Sequence, residues 1–246
     1  TQHQIPSSVC SLTTIKETYK IVCEKTSFMI RLFPTLVHEF KIPDFDRQSI
    51  IEYCYQQRKE DPHGMQKSNR GGWQSQDHFC MFNNPLSDAL TSGLSSYVQE
   101  NNIFQKGVGI EVQAMWININ GPGCYNIKHN HPNSDLSGVF WVKGGPDMGS
   151  LVFDDYNNYS RFMEVVAYSN EFKDDNGLWT QFRFEPQEGE CVLFPASLDH
   201  CVEDNQSQEE RISVSFNIKL DMDFKSANIG AGYKPKGYHL DKDNLL

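Results

Sequence analysis

The chain has 246 residues, with 32 acidic and 22 basic side chains and a formal net charge of −10. Hydrophobic residues make up 38% and aromatics 12%, a globular composition on a chain long enough for a sizeable core. The apolar runs are short (Cys191-Val192-Leu193-Phe194 is typical), so none approaches the ~20 residues of a membrane-spanning helix. A negative field without a Lys/Arg cluster disfavours nucleic acid as a partner. Thr1-Gln2-His3-Gln4-Ile5-Pro6 lacks the charged and apolar regions of a signal peptide. The cysteines (10, 23, 54, 80, 124, 191 and 201) are scattered without a CxxC pair, which predicts reduced thiols in a cytoplasmic protein.

Residues 1–25 are expected to form an N-terminal arm with β character around Tyr19–Cys23, and Phe28–Val37 a strand interrupted by Pro34. Asp44 or Asp46 caps a helix whose apolar stripe is Ile50, Ile51, Cys54 and Tyr55, ended by Asp61-Pro62-His63-Gly64. Polar, glycine-rich Lys67–Asp77 predicts a loop. Asn84-Pro85 opens a second helix, with Leu86, Leu90, Leu94 and Tyr97 or Val98 on one side and an end at Glu100–Asn102. The pattern then changes. Val108–Ile119, Gly138–Val142, Ser150–Phe153, Leu178–Phe184, Glu190–Phe194 and Arg211–Leu220 are short apolar or alternating runs between turn signals. Such spacing predicts a mainly β sandwich or barrel with flanking helices. The expected organisation is one domain over 1–246: arm and supporting helices to 107, a β core over 108–220, and a polar tail over 221–246.

Function concentrates in Lys128–Val142. His129 and His131 stand two apart, so on an extended strand both imidazoles share a face and can hold one metal ion. A third histidine, His200, follows the strand at Cys191–Phe194. Arg211 opens an alternating segment that puts Arg211, Ser213 and Ser215 on one face. An arginine facing into a β core needs an anion, and its fork suits a carboxylate. A small dicarboxylate chelating the metal at one end and meeting Arg211 at the other explains both features. His3, His38, His63, His78 and His239 are expected to be ordinary surface or core histidines.

These residues resemble the iron(II)- and 2-oxoglutarate-dependent dioxygenases, and within them phage and marine bacterial members with an H-x-H-P-x-S-x-x-S-G-V pattern. Here it reads His129-Asn130-His131-Pro132-Asn133-Ser134-Asp135-Leu136-Ser137-Gly138-Val139. Four further segments match: Asn118-Ile119-Asn120-Gly121-Pro122-Gly123, Gly149-Ser150-Leu151-Val152-Phe153, Pro186–His200 and Arg211-Ile212-Ser213. Phe33-Pro34 and Ser68–Ser75 are also similar to the phage subgroup. The resemblance covers roughly Phe28 to Leu220. It implies a double-stranded β-helix (jelly-roll, cupin-like), a catalytic Fe(II) held by His129, His131 and His200, and 2-oxoglutarate as co-substrate. Arg211 and Ser213 would hold its distal carboxylate, and Asn118 would lie near the other one. It further implies O2 as a reactant and hydroxylation of a C–H bond, by analogy on a prolyl or other protein or peptide substrate. A phage-encoded member would act in the host cytoplasm.

One position departs from the family. The usual facial triad has a carboxylate two residues after the first histidine, where this chain has His131. Three imidazoles leave the ion its full 2+ charge. The alternative donors are Asp135, for which a turn role is the expectation, and Asp154 or Asp155. The loop around Trp73 and Asp154-Asp155-Tyr156 are candidates for the rim of a substrate cleft. Two rival functions stand beside the first: a three-histidine dioxygenase that does not use 2-oxoglutarate, and a non-enzymatic β-sandwich binding or assembly protein.

Overall fold

The computed structural model describes residues 34–77, 84–155 and 167–222. Its first strand, β1 (His38–Lys41), starts later than expected. Pro34 to Val37 lie outside any strand, and the expected arm and Phe28–Phe33 lie outside the described residues. Helix α1 (Arg47–Glu60) is capped by Asp46, whose carboxylate accepts the Ser49 N–H at 3.1 Å. Asp44 adopts φ 47° in the turn before it.

Lys67–Asp77 is not only a loop. It holds two short strands, β2 (Asn69–Arg70) and β3 (Trp73–Gln74), folded about Gly71-Gly72. Glycine is required at both positions. Gly71 has φ +77°, and a Cβ on Gly72 would lie 2.4 Å from Asn120 Oδ1. This close packing, invisible in a polar sequence pattern, draws the segment onto the sheets. Helix α2 (Pro85–Asn101) follows, with Asn84 as N-cap, proline in the first turn and Asn102 in the left-handed conformation at its end.

The β core follows as β4 (Val108–Asn120), β5 (Tyr125–His129), β6 (Leu136–Lys143), β7 (Leu151–Asp154), β8 (Gln181–Phe184), β9 (Glu190–Pro195), β10 (His200–Val202) and β11 (Arg211–Met222). A short helix, α3 (Asn170–Asn176), precedes β8 between a Ser169 cap and Gly177 at φ +66°. The six expected runs are β4, β6, β7, β8, β9 and β11. The strands β5 and β10 and the helix α3 are additions to them, and β10, with three residues, is too short to carry a pattern.

Two antiparallel sheets result. One has the order β1-β9-β6-β11-β4-β3 and the other β2-β5-β10-β7-β8. Alternation divides the first sheet's side chains between two cores. Ile117, Ile119, Phe140, Val142, Ile212, Val214 and Phe216 pack with Ile50 and Cys54 of α1 and Leu86, Leu90 and Leu94 of α2. Trp141, Val192 and Phe194 pack with Leu151 and Phe153 of the second sheet. Helices α1 and α2 therefore cover one face of the six-stranded sheet. No described helix is long and apolar enough to cross a membrane.

Candidate metal and anion site

Strand β10 runs between β5 and β7, and the register sets His200 directly across from His129 on one side and Phe153 on the other. Directly opposed residues have their Cβ atoms about 5 Å apart, and the two imidazole centroids lie 4.4 Å apart. His131 joins them by a different route from the one its spacing predicts. Strand β5 ends at His129, and the turn beyond it carries His131 inward, fixed by its N–H to the Ala196 carbonyl at 2.8 Å. Its ring centroid is 5.1 Å from that of His129 and 5.2 Å from that of His200. Asn130 turns aside to donate to Asp199 at 2.7 Å.

The three histidines offer ligand atoms within 4.8 Å of one another, the only such group of three metal-capable side chains among the described residues. Imidazole–metal bonds of about 2.1 Å put neighbouring ligand atoms of one ion about 3–3.5 Å apart, so the three rings would draw together around it. His129 Nδ1 lies 2.7 Å from the Ile127 carbonyl and His200 Nδ1 2.9 Å from that of Leu198. A carbonyl only accepts, so each Nδ1 carries the proton and each Nε2 keeps its lone pair for a metal. Burial pushes the His131 pKa down to about 4 and that of His200 to about 3, and lowers that of His129. The imidazoles are therefore neutral at physiological pH, the form that binds metal.

The facing wall comes from β4 and β11. Their register pairs Arg211 with Asn120, Ser213 with Asn118 and Ser215 with Trp116, so these six share the face away from the helices. With the histidines, Arg211, Ser213, Ser215, Asn118 and Trp116 line one cleft. Val139, Trp141, Leu151 and Phe194 supply its apolar lining. Arg211 is 2% exposed, and its Nη1 donates to the Met148 and Gly149 carbonyls at 2.6 and 2.7 Å. Gly149 has φ +84°, and a Cβ there would lie 2.2 Å from the Glu203 carbonyl oxygen. No carboxylate forms an ion pair with Arg211 among the described residues. The adjacent Glu210 pairs with Arg58 instead. Burial lowers the Arg211 pKa to about 10, which leaves it charged at neutral pH.

Asn118 donates to Ser215 Oγ at 3.1 Å, and its buried Oδ1 has no hydrogen-bond partner.

The carboxylates of Asp135 and Asp154 are engaged elsewhere. Asp135 binds Lys219 Nζ at 3.0 Å and accepts the Leu220 N–H at 2.8 Å, which fixes the turn to β11. Asp154 pairs with Lys128 and accepts from Gln181, and the Asp155 N–H donates to Thr180. None of the three joins the histidines. The loop around Trp73, a candidate for the cleft rim, meets the cleft at Ser68 and not at Trp73 itself. Its indole is 9% exposed in the helix-side core and donates to the Asp61 carbonyl at 2.8 Å. Tyr156, His3, His78 and His239 lie outside the described residues. His38 faces the Tyr97 hydroxyl, and His63 is exposed. Sequence reasoning missed Trp116, whose ring lies 5.7 Å from that of His131, and also Ser68 and Asn126 in the cleft wall. Alternation from Asn118 back along β4 could have found Trp116.

Two facing antiparallel sheets in these orders, with the cleft between them, define a double-stranded β-helix. Residues 114–217 match the family model described as "Putative 2OG-Fe(II) oxygenase", a span containing all three histidines, Arg211, Ser213 and Asn118. Among solved structures, the chain is similar to a Pseudomonas putida prolyl-4-hydroxylase (14% identity, TM-score 0.53, covering 75% of this chain and 92% of that one). It is also similar to the non-heme alpha-ketoglutarate-dependent carbocyclase SnoK of nogalamycin biosynthesis (11% identity, TM-score 0.55, 76% and 80%). A third is HygX from Streptomyces hygroscopicus with nickel, 2-oxoglutarate and hygromycin B bound (10% identity, TM-score 0.51, 75% and 83%). Identities this low establish the shared fold. No curated protein matches the sequence.

Proposed function

We propose that the chain is an Fe(II)- and 2-oxoglutarate-dependent oxygenase that hydroxylates a C–H bond. The observation that carries this reading is the buried Arg211 guanidinium, lacking a carboxylate partner among the described residues, in the same cleft as three neutral imidazoles. The residues fit both groups. His129, His131 and His200 hold the metal through nitrogen. Arg211 and Ser213 take the distal carboxylate of 2-oxoglutarate, with Asn118 toward the opposite end. Iron bound there with 2-oxoglutarate and O2 supplies oxidative decarboxylation to succinate and CO2 coupled to C–H oxygenation.

The third histidine has an electrostatic consequence. Three neutral ligands leave a 2+ centre, which the chelating carboxylate of the co-substrate would reduce to 1+. Arg211 then balances the charge of the distal carboxylate, in a pocket whose low dielectric strengthens both interactions. Val139, Trp141, Leu151 and Phe194 line the cleft with apolar surface. For substrate, a prolyl or other residue of a protein or peptide is the reading in line with the fold shared with the Pseudomonas putida prolyl-4-hydroxylase, and the reducing cytoplasm is the compartment in line with the scattered thiols.

The three-imidazole set also favours a second reading, a three-histidine dioxygenase without 2-oxoglutarate. That reading leaves Arg211 without a role. Anaerobic addition of Fe(II) and then 2-oxoglutarate separates the two. The first reading expects a visible metal-to-ligand charge-transfer band and, after oxygen, succinate. Oxygen uptake without either supports the second, and no metal binding supports a non-enzymatic role.

A further inference from the structure

The segment Ser68–Ser75 has no part in the function proposed so far, yet it is folded against the cleft. Strand β2 pairs with β5, setting Asn69 opposite Asn126 and Arg70 opposite Tyr125. The Ile127 N–H donates to the Ser68 carbonyl at 2.9 Å. Asn69 locks the segment, accepting from the Lys67 N–H and donating to the Met65 and Gly72 carbonyls. Ser68 and Asn126 thereby reach the cleft that holds the histidines and Arg211.

A line of hydrogen bonds ties them to the arginine end. Asn120, opposite Arg211 in the sheet, donates to Asn126 Oδ1 at 3.2 Å, and Asn126 donates to Ser68 Oγ at 3.1 Å. Asn120 is fully buried and Asn126 is 8% exposed. Each amide donates to the next group, so the line is polarised toward Ser68. Ser68 Oγ accepts from Asn126, which leaves its own O–H to donate. Asn126 is three residues before His129 on the same strand, roughly 10 Å from it at ~3.4 Å per residue. The pair thus belongs to the anion end of the cleft and not to the metal end.

We propose that Ser68 and Asn126 complete the anion pocket, with the Ser68 hydroxyl donating to the same distal carboxylate that Arg211 and Ser213 bind. This rests on the 2-oxoglutarate reading above and adds to it a ligand from outside the family-matched span of residues 114–217. Arg211 supplies charge from the six-stranded sheet, and Ser68, the residue before β2, supplies a directional donor across the cleft. The pocket then selects a 2-oxo acid with a second carboxylate.

The test is anaerobic titration of the Fe(II)-loaded protein with 2-oxoglutarate, followed by the charge-transfer band, with Fe(II) affinity measured separately. Removing one hydrogen bond to a charged group weakens binding about tenfold. Ser68→Ala is expected to show that loss in 2-oxoglutarate affinity with Fe(II) affinity unchanged. Ser68→Thr keeps the hydroxyl and is expected to stay within about twofold of the parent. Asn126→Asp puts a negative charge beside the pocket and is expected to weaken 2-oxoglutarate further than Ser68→Ala does. If Arg211→Ala weakens 2-oxoglutarate strongly while Ser68→Ala and Asn126→Asp bind as the parent does, this proposal is overturned and the parent reading stands. If the parent protein binds Fe(II) but gives no response to 2-oxoglutarate, both fall.

Discussion

The same two strands, β4 and β11, build two different surfaces. Toward the helices, Ile117, Ile119, Ile212, Val214 and Phe216 are at most 1% exposed and uniformly apolar. Toward the second sheet, Asn118, Asn120, Arg211 and Ser213 are nearly as buried, at 6% or less, and all polar. One face is what folding alone selects, since burying apolar surface is the dominant favourable contribution. The other face works against stability. Among the described residues it buries a guanidinium without a carboxylate and leaves Asn118 Oδ1 and Asn120 Oδ1 unpaired, and buried polar groups without partners are costly. Polar groups concentrated on one face of an otherwise apolar sheet mark the side where a ligand is received.

Substitutions can break or sharpen this contrast. The largest effect is expected on the helix face. Phe216→Ala should lower unfolding free energy by about 3–5 kcal/mol in a denaturant titration, and a loss below about 1 kcal/mol would contradict a tightly packed helix-side core. Gly138→Ala tests the same packing, since its Cβ would lie 2.2 Å from Phe216 Cζ. An overpacking loss of about 1–3 kcal/mol is expected.

The histidines give a pH dependence on the cleft side. Below about pH 6.5 an unfolded chain takes up protons on these imidazoles. The folded chain refuses them until about pH 4 at His131 and about pH 3 at His200. The metal-free protein should therefore lose stability as pH falls through that window, with no contribution from these groups above it. Thermal melts of the parent and of His200→Gln between pH 7 and 4 check this, and the variant should show the shallower decline. A smaller change is expected from Ser215→Ala, which removes the Asn118 partner and should cost about 1 kcal/mol. Lys128→Ala, at the surface pair with Asp154, should change stability by less than about 1 kcal/mol.

Much of this was legible in the sequence. Alternation in Arg211–Leu220 identified the long strand and put Arg211, Ser213 and Ser215 on one face. Turn signals bounded most other strands. The caps Asp46 and Asn84 set the helix starts. What was not legible depends on contacts across the chain. Strand β10 has three residues, too few for a pattern, and it becomes a strand because β5 and β7 flank it. His131 enters the cleft through a turn, not through strand periodicity. Asp135 was an open alternative until its carboxylate was found on Lys219, 84 positions away. The polar segment at Ser68 carries no periodicity, and its place against Asn126 arises from a pairing 58 positions apart in sequence.

The contrast between the two faces meets its most direct test at Arg211. Arg211→Met removes the buried charge and keeps most of the volume. The account predicts unfolding free energy within about 1 kcal/mol of the parent or higher, since an apolar replacement of a buried charge is often neutral or stabilising. It predicts in the same protein unchanged Fe(II) binding and a loss of 2-oxoglutarate affinity of about a hundredfold by the charge-transfer titration, the upper range for a charged hydrogen bond. A variant that unfolds easily yet binds 2-oxoglutarate as the parent does would make Arg211 a structural residue and contradict the account.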